Sequence, residues 1–109
     1  VLIMGLTFKE NCPDIRNTKV IDIVDELKAY KLDVDIVDPW CNPVEAKNEY
    51  GLTVSKEAKK GIYDAVLMAV GHNEFKEIGI KAIRKLGRPK HILYDLKYVL
   101  SKDDVDIRL

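Results

Sequence analysis

The chain has 109 residues, about one domain's worth, and the 47% that are hydrophobic are enough to form a packed core. Its 18 basic and 18 acidic side chains cancel, which argues against nucleic acid or an anionic membrane surface as a partner held by bulk charge. With no apolar run of ~18 residues, no visible signal peptide and only two cysteines, we expect a cytoplasmic chain without a membrane span, a disulfide framework or a metal site.

The first third of the chain is predicted to form two strands with a helix between them. Val1–Thr7 opens with the apolar run Val1–Met4 and is predicted to be a buried strand, and Thr18–Tyr30 carries apolar residues at helical spacing. Leu32–Val37 alternates between apolar and acidic residues, which predicts a second strand. Asp38-Pro39 ends that strand in a turn, because the residue before a proline disfavours the helical conformation.

The middle of the chain predicts a capped helix and a short strand. Asn42–Tyr50 is expected to be helical, with Pro43 at the first position, which tolerates proline, and Gly51 just beyond the end. Leu52–Val54 is long enough only for a short strand. In Ser55–Lys60, the serine is expected to cap a lysine-rich helical turn.

The last third of the chain begins with its most apolar segment. Ala65–Val70 is continuously apolar, which is typical of a central strand covered on both faces. Glu74–Leu86 predicts a helix closed by Gly87, His91–Tyr94 predicts a last strand, and Ser101–Val105 predicts a capped turn. Because strands alternate with helices, we predict a Rossmann-like three-layer α/β/α domain with a mostly parallel sheet of about five strands.

The opening of the chain bears on its domain organisation. It has no initiator methionine and starts inside the first predicted strand. We therefore expect residues 1–109 to be a single domain taken from a longer polypeptide. The coding sequence upstream of Val1 would test this expectation.

Two cations follow the first predicted strand. Lys9 and Arg16 come after it, with Asp14 between them, and the predicted helix Thr18–Tyr30 follows. Ligands of open α/β sheets bind just beyond the carboxyl ends of the strands, so this pair is placed to meet an anionic ligand, most suitably a phosphate. Solvated surface charge is the alternative, but two cations at a helix amino terminus would oppose the helix dipole.

The glycine pattern argues against the usual mode of NAD binding. Gly5 is the only glycine in the first strand-to-helix connection, so the G-x-G-x-x-G fingerprint is absent. Asp38 stands where such folds hold the acid that binds the ribose. Without the glycine loop, we predict instead that Asp38 serves the turn at the end of its strand.

One segment is specific enough to indicate a family. It resembles the motif that opens the carboxyl-terminal domain of the UDP-glucose/GDP-mannose dehydrogenase family and reads Gly5-Leu6-Thr7-Phe8-Lys9-x-x-x-x-Asp14-x-Arg16. Later segments resemble the family's landmarks in the same order: Asp38-Pro39, Tyr63-Asp64-Ala65-Val66, Ala69-Val70 and Tyr94-Asp95-x-Lys97. The resemblance spans essentially all 109 residues, and Trp40 and His72 are most similar to the branch that acts on UDP-N-acetyl-hexosamines.

This resemblance implies part of an NAD-dependent nucleotide-sugar 6-dehydrogenase, which oxidises a primary alcohol of UDP-glucose or a UDP-N-acetyl-hexosamine to a carboxylate for polysaccharide precursors. It implies that the NAD-binding fold and the catalytic cysteine lie in upstream domains of the same polypeptide, and that the full-length enzyme is a homodimer. The carboxyl-terminal domain then closes over the active-site cleft and contacts the UDP-sugar, whereas the isolated fragment is inactive.

The resemblance also implies roles for individual residues. Lys9 matches the lysine that meets the nucleotide sugar, and Phe8 matches the aromatic residue beside it. Arg16 matches an arginine that reaches toward the pyrophosphate of the NAD cofactor, with Asp14 as its cap or orienting partner. Lys97 stands where many relatives carry an arginine that grips the substrate, and we expect it at the same sheet edge as Lys9. No residue of this chain is expected to be catalytic.

Four further side chains have both a functional and a structural interpretation. Cys12 lies between two cations, where a nucleophilic thiolate would be favoured, but we predict a bystander because the family's nucleophile lies elsewhere. Cys41, beside a tryptophan, is expected to pack. His72 could touch a ligand, although a place near the cap of the next helix is favoured, and His91 at the start of a strand is expected to be structural.

Two other protein classes share features with this chain. A receiver domain has the same alternation but needs clustered acids after the first strand, where this chain has Thr7-Phe8-Lys9, so that class is excluded. A freestanding, non-catalytic nucleotide-binding or interaction domain stays open as an alternative. A glycine fingerprint and a central cysteine encoded upstream of Val1 would favour the dehydrogenase over it.

Overall fold

A parallel sheet of six strands forms the centre of the molecule. In the computed structural model, which describes residues 1–108, the strands lie in the order β3-β2-β1-β4-β5-β6, and every neighbouring pair is parallel. Their bounds are β1 Leu2–Met4, β2 Asp35–Val37, β3 Val54–Ser55, β4 Tyr63–Met68, β5 Gly87–Asp95 and β6 Ile107–Arg108. The strand order reverses between β1 and β4, and such a reversal opens a crevice at the carboxyl edge of a sheet.

In the part of the chain that the structure describes, three helices and one short 3₁₀ turn connect the strands. They are α1 Val20–Ala29, α2 Pro43–Tyr50, α3 Asn73–Arg84 and the 3₁₀ turn Lys102–Asp104. The predicted Rossmann-like α/β class is confirmed, and so are the three predicted helices and the capped turn near the end of the chain. Within residues 1–108, no helix combines the length and the apolar composition that crossing a bilayer requires.

The core lies on both faces of the sheet, because neighbouring side chains of a strand point to opposite faces. In β1, Ile3 belongs to one apolar cluster with Val24 of α1 and Ala46 of α2, whereas Leu2 and Met4 belong to the cluster on the α3 side. All of these side chains are buried, and burying a large apolar side chain is worth ~1.5–3 kcal/mol. Packing on both faces thus holds the sheet between α1 and α2 on one side and α3 on the other.

Helix α2 begins and ends as its sequence predicts. The side-chain oxygen of Asn42 accepts hydrogen bonds from the N–H groups of Val44 (2.9 Å) and Glu45 (3.3 Å). Pro43 occupies the first helical position, where a backbone N–H is not needed. Gly51 ends the helix in the left-handed conformation, with a φ of 68°.

One predicted helical turn does not form. Ser55 belongs to β3, and Lys56–Lys60 form bends and irregular backbone rather than a lysine-rich helical turn. Only Ala58 of this segment packs against the core, so a helix there would have no apolar face to bury. Lys56 instead donates a hydrogen bond from Nζ to the carbonyl oxygen of Pro39, at 2.8 Å.

The carboxyl-terminal third differs from the prediction at three points. Gly79, with a φ of 80° and a ψ of 164°, interrupts α3, and the helix ends at Arg84 before it reaches Gly87. Gly87 starts β5 instead of closing the helix, because it pairs with Tyr63 of β4 ahead of a register shift. A sixth strand, β6, pairs with the end of β5 and is too short to show an alternating pattern in the sequence.

Candidate functional site

A cleft of about 450 Å³ opens at the carboxyl edge of the sheet, at the reversal of strand order. The residues that line it come mainly from four segments: Thr7–Glu10 after β1, Thr18–Val20 at the start of α1, Ala69–Gly71 after β4, and Leu96–Lys97 after β5. Open parallel sheets bind their ligands at such a place. We therefore take this cleft as the candidate site.

The cleft is positively charged. Lys9, Lys19 and Lys97 line it, against one acidic residue, Glu10. Within residues 1–108, neither Lys9 nor Lys97 forms an ion pair with a carboxylate, and both side chains are exposed. The expectation that these two lysines face one cleft is confirmed, although Lys9 lies in the connection beyond Met4, where β1 ends, and not at the strand end itself.

Gly5 turns the chain out of β1 toward the cleft. Its φ of +104° lies in the left-handed region, and a Cβ atom at this position would be 2.5 Å from the Cβ and 2.9 Å from the backbone nitrogen of Val70. Only glycine therefore lets the connection after β1 pass so close to the connection after β4. The turn brings Phe8, which is 54% exposed, to the cleft.

Behind the cleft, the Asp38 carboxylate ties together the ends of β1 and β2. It is fully buried and accepts hydrogen bonds from the N–H groups of Leu6 (2.7 Å) and Thr7 (3.1 Å) after β1. Its second oxygen accepts from the N–H groups of Trp40 (2.7 Å) and Cys41 (3.0 Å). Both carboxylate oxygens are thus occupied, which confirms the predicted turn role of Asp38 over a ribose-binding one.

His72 completes this network from the connection after β4. The Asn11 N–H donates to Nδ1 of His72 (2.9 Å), which fixes the neutral tautomer with its proton on Nε2. Nε2 then donates to Oδ2 of Asp38 (3.0 Å) and lies 3.1 Å from Oγ1 of Thr7, whose hydroxyl donates to the carbonyl oxygen of Lys9. We refer to Thr7, Asn11, Asp38 and His72 together as the clasp.

The clasp holds Asp38 in its charged form. Burial alone would raise the pKa of this carboxyl, but hydrogen bonds from His72 and from the N–H groups of Leu6 and Thr7 outweigh burial and hold the pKa below its usual value. Across residues 1–108, no buried side-chain nitrogen or oxygen lacks a hydrogen-bond partner. The network is therefore complete, as a stable buried polar cluster must be.

A second buried aspartate positions Lys97. Asp95, at the end of β5, accepts hydrogen bonds from the N–H groups of Lys97 (3.1 Å) and Leu100 (2.8 Å). These bonds turn the chain after β5 so that Lys97 lines the cleft. The Asp-x-Lys sequence thus contains one structural residue and one candidate ligand contact.

Arg16 lies outside the cleft and does not start a helix, contrary to expectation. Helix α1 begins only at Val20, because Asn17 adopts the left-handed conformation (φ 59°) and interrupts the chain before it. The Arg16 side chain is 84% exposed and pairs with both oxygens of Asp14, at 3.0 and 3.1 Å. Asp14 therefore orients Arg16, as predicted, and the hydrogen bonds from Arg16 lower the pKa of Asp14.

The two cysteines differ in access, and a thiol reagent should distinguish them. Cys41 is buried in the core, as predicted, and burial raises the pKa of its thiol to about 11, so only about one thiol in a thousand is ionised at pH 8. Cys12 is half-buried. We expect one fast and one slow reaction with a chromogenic disulfide at pH 8, and Cys12→Ser should remove the fast one. A fast reaction that survives in Cys12→Ser would contradict the burial of Cys41.

The clasp is the part of the site that local sequence patterns do not reveal. Thr7 and Asn11 lie 65 and 61 residues from His72, and Asp38 lies 34 residues from it. The sequence offers only an indirect indication that Asp38 and His72 lie close together. Each of them follows a predicted strand, and the carboxyl ends of parallel strands lie at the same edge of a sheet. His72 is the residue before α3, as the sequence predicted. Its side chain does not cap the helix but bonds to the other three residues of the clasp.

Sequence and fold are both similar to those of known proteins. Residues 2–102 match the UDP-glucose/GDP-mannose dehydrogenase family, UDP binding domain. Over all 109 residues, the chain is 56% identical to the UDP-N-acetyl-D-glucosamine 6-dehydrogenase of Pseudomonas aeruginosa and 55% identical to that of Salmonella typhi, and it spans 26% of each, about a quarter of their length. The native structure of the UDP-N-acetyl-mannosamine dehydrogenase of Staphylococcus aureus matches with a TM-score of 0.72 at 26% identity, over 98% of this chain and 25% of that one.

Proposed function

This chain belongs to the UDP-glucose/GDP-mannose dehydrogenase family, and from that membership we propose that residues 1–109 form the carboxyl-terminal, UDP-sugar-binding domain of an NAD-dependent nucleotide-sugar 6-dehydrogenase. The substrate is a UDP-N-acetyl-hexosamine or UDP-glucose, oxidised to the uronic acid for polysaccharide precursors in the cytoplasm. Because the chain spans about a quarter of its curated relatives, other domains of the same polypeptide supply the catalytic cysteine and most of the NAD site.

The positively charged cleft carries this proposal. A UDP-sugar presents a diphosphate, and Lys9 and Lys97 can approach it from the connections after β1 and β5. Lysine binds phosphate as a point charge, so these contacts do not need the planar geometry of an arginine. The exposed ring of Phe8 offers the apolar surface against which a sugar or a base can pack.

We assign Arg16 to the cofactor and not to the sugar. Arg16 lines a different cavity, together with Glu45 and Glu49 of α2, and Asp14 fixes the plane of its guanidinium. An exposed arginine held in this way can meet the pyrophosphate of an NAD that is bound mainly by the amino-terminal domain of the complete enzyme. The proposed assembly of that enzyme is a homodimer.

Binding of UDP to the 109-residue chain tests the sugar-nucleotide site. We expect Lys9→Ala and Lys97→Ala each to weaken UDP binding about ten-fold to a hundred-fold, since a hydrogen bond to a charged group is worth ~1.5–3 kcal/mol. Arg16→Ala should leave the affinity unchanged, because Arg16 lies outside the cleft. Titration calorimetry measures all three, and added salt should weaken binding to the wild-type chain.

Lys81→Ala is a matched control for the loss of one positive charge. Lys81 is an exposed lysine of α3 that does not line the cleft. Equal losses of UDP affinity in Lys9→Ala and Lys81→Ala would show that binding follows net charge alone and would contradict the assigned site.

The enzymatic activity is tested as NAD reduction by the complete enzyme with a UDP-N-acetyl-hexosamine. The same activity in the 109-residue chain would overturn the domain assignment.

A further inference from the structure

We propose that His72 is a positioning residue for the segment Thr7–Asn11: through the clasp, it sets the direction in which Phe8 and Lys9 enter the cleft. The proposal rests on the proposed function, in which Phe8 and Lys9 contact the nucleotide sugar. His72 itself takes no chemical step and does not touch the ligand, because its side chain is fully buried.

The segment has little regular structure of its own. Residues 7–11 form bends and a turn between β1 and α1, and Asn11 adopts a left-handed φ of 54°, a conformation that asparagine tolerates better than most residues. Phe8 and Lys9 are exposed, so packing in the core does not orient them. One backbone hydrogen bond, from the Phe8 N–H to the carbonyl oxygen of Asp14 (2.7 Å), closes the loop on itself. The remaining restraint has to come from the clasp.

His72 holds the segment at both ends with its two ring nitrogens. At one end, Nε2 lies 3.1 Å from Oγ1 of Thr7, and that hydroxyl donates to the carbonyl oxygen of Lys9 at 3.0 Å. At the other end, Nδ1 accepts from the Asn11 N–H at 2.9 Å, and the Asn11 side-chain oxygen accepts from the N–H of Asn73 at 2.9 Å. The position of the imidazole ring thus determines, through the Thr7 hydroxyl, where the backbone of Lys9 lies.

The imidazole of His72 is itself firmly held. The Trp40 ring is stacked against it with centroids 6.2 Å apart, and the Phe75 ring is 5.5 Å away. Asp38 accepts from Nε2, and Glu74 accepts from Nε1 of Trp40 at 2.9 Å, which fixes the stacked tryptophan. A side chain that only filled this space would need no polar atoms, because buried polar groups are destabilising unless they are hydrogen-bonded.

Three substitutions separate positioning from packing. His72→Asn keeps an acceptor near the place of Nδ1, facing Asn11, whereas His72→Gln keeps a donor near the place of Nε2, facing Asp38. His72→Phe keeps the ring volume and loses both contacts. His91→Phe is the matched control, because His91, the other histidine of the chain, contacts Arg84 (3.2 Å) outside the clasp, in keeping with its predicted structural role.

Amide exchange and UDP binding are measured on the same 109-residue variants. We expect exchange of the Asn11 amide to accelerate at least about ten-fold in His72→Phe and His72→Gln, while the amides of β1 and β4 stay protected. UDP affinity should fall about ten-fold in His72→Phe, which loses both contacts, and about three-fold in His72→Asn and in His72→Gln, which each keep one. His91→Phe should change neither quantity, and nitrogen NMR of the wild-type chain should show the Nε2–H tautomer.

An unchanged UDP affinity in a folded His72→Phe variant would overturn the proposal. So would His72→Asn and His72→Gln variants that both bind UDP as tightly as the wild-type chain, and these two variants test the proposal if His72→Phe does not fold. If the wild-type chain does not bind UDP, the proposed function fails instead. Exchange of the Asn11 amide then still shows whether His72 holds the segment.

Discussion

We expect the Asp38→Ala variant to lose about 3–5 kcal/mol of unfolding free energy, a large share of the ~5–15 kcal/mol typical of a domain. The substitution removes the acceptor of five donors: the N–H groups of Leu6, Thr7, Trp40 and Cys41, and the imidazole of His72. A buried donor left unpaired is destabilising by ~1–3 kcal/mol, and water that enters the new cavity offsets part of this. Urea titration followed by circular dichroism measures the difference.

Asp33→Ala is the control for this measurement. Asp33 is exposed and lies just before β2, so its substitution should change the unfolding free energy by no more than ~0.5 kcal/mol. An equally small loss of unfolding free energy in Asp38→Ala would show that the hydrogen bonds to Asp38 do not hold the ends of β1 and β2 together.

The same carboxylate makes stability depend on pH at the acid end. Burial would raise the pKa of Asp38, but the hydrogen bonds from His72 and from the backbone outweigh it, so the folded-state pKa lies below the ~3.9 of an unfolded aspartate. The contribution of Asp38 is therefore complete above the unfolded-state pKa and is lost as the pH falls through the folded-state pKa. Between pH 5 and 2, the unfolding free energy of the wild-type chain should fall more steeply than that of Asp38→Asn.

Gly5→Ala should destabilise the chain by about 2–6 kcal/mol. The φ of +104° strains any residue that has a Cβ atom, by ~1–3 kcal/mol. The added methyl group would also overlap Val70, whose Cβ and backbone nitrogen would be 2.5 and 2.9 Å away, and such overpacking is destabilising by a further ~1–3 kcal/mol. Thermal and urea unfolding of the variant measure the sum.

Gly51→Ala separates the two causes. Gly51 also has a positive φ, 68°, but a Cβ atom there would meet nothing within 4 Å. We expect it to be destabilising by only ~1 kcal/mol, since the backbone strain is present without the overlap. Equal losses at Gly5 and Gly51 would show that backbone conformation alone requires the glycine and that contact with Val70 adds nothing.

Much of the fold follows from local patterns. The continuous apolar run Ala65–Val70 predicts a central strand, and β4 lies there two residues earlier, at Tyr63–Met68, between β1 and β5. The cap residues Asn42 and Gly51 determine the bounds of α2. The prediction fails at Lys56–Lys60, because residues that favour a helix cannot form one without an apolar face to pack.

The site is predictable only in part. Lys9 and Lys97 can be placed at one cleft because parallel strands present their carboxyl ends at one edge of the sheet. The position of Arg16 depends on the left-handed Asn17, which the local sequence only weakly favours. The partners of Asp38 outside its own turn lie 31 to 34 residues away, in the connections after β1 and β4, and no periodic pattern encodes contacts at that range.

The distances that the clasp spans along the chain also determine when the cleft forms during folding. Thr7, Asp38 and His72 lie in the connections after β1, β2 and β4, the latter two 31 and 65 residues from Thr7, so we expect the clasp to close only after these strands have paired. Loop-closure entropy opposes each of these long-range contacts, which is why parallel sheets fold slowly. A partly folded chain therefore has no cleft. A ligand of the cleft binds only the completed fold and therefore shifts the folding equilibrium toward it by mass action. The size of this shift depends on the ratio of the ligand concentration to its Kd.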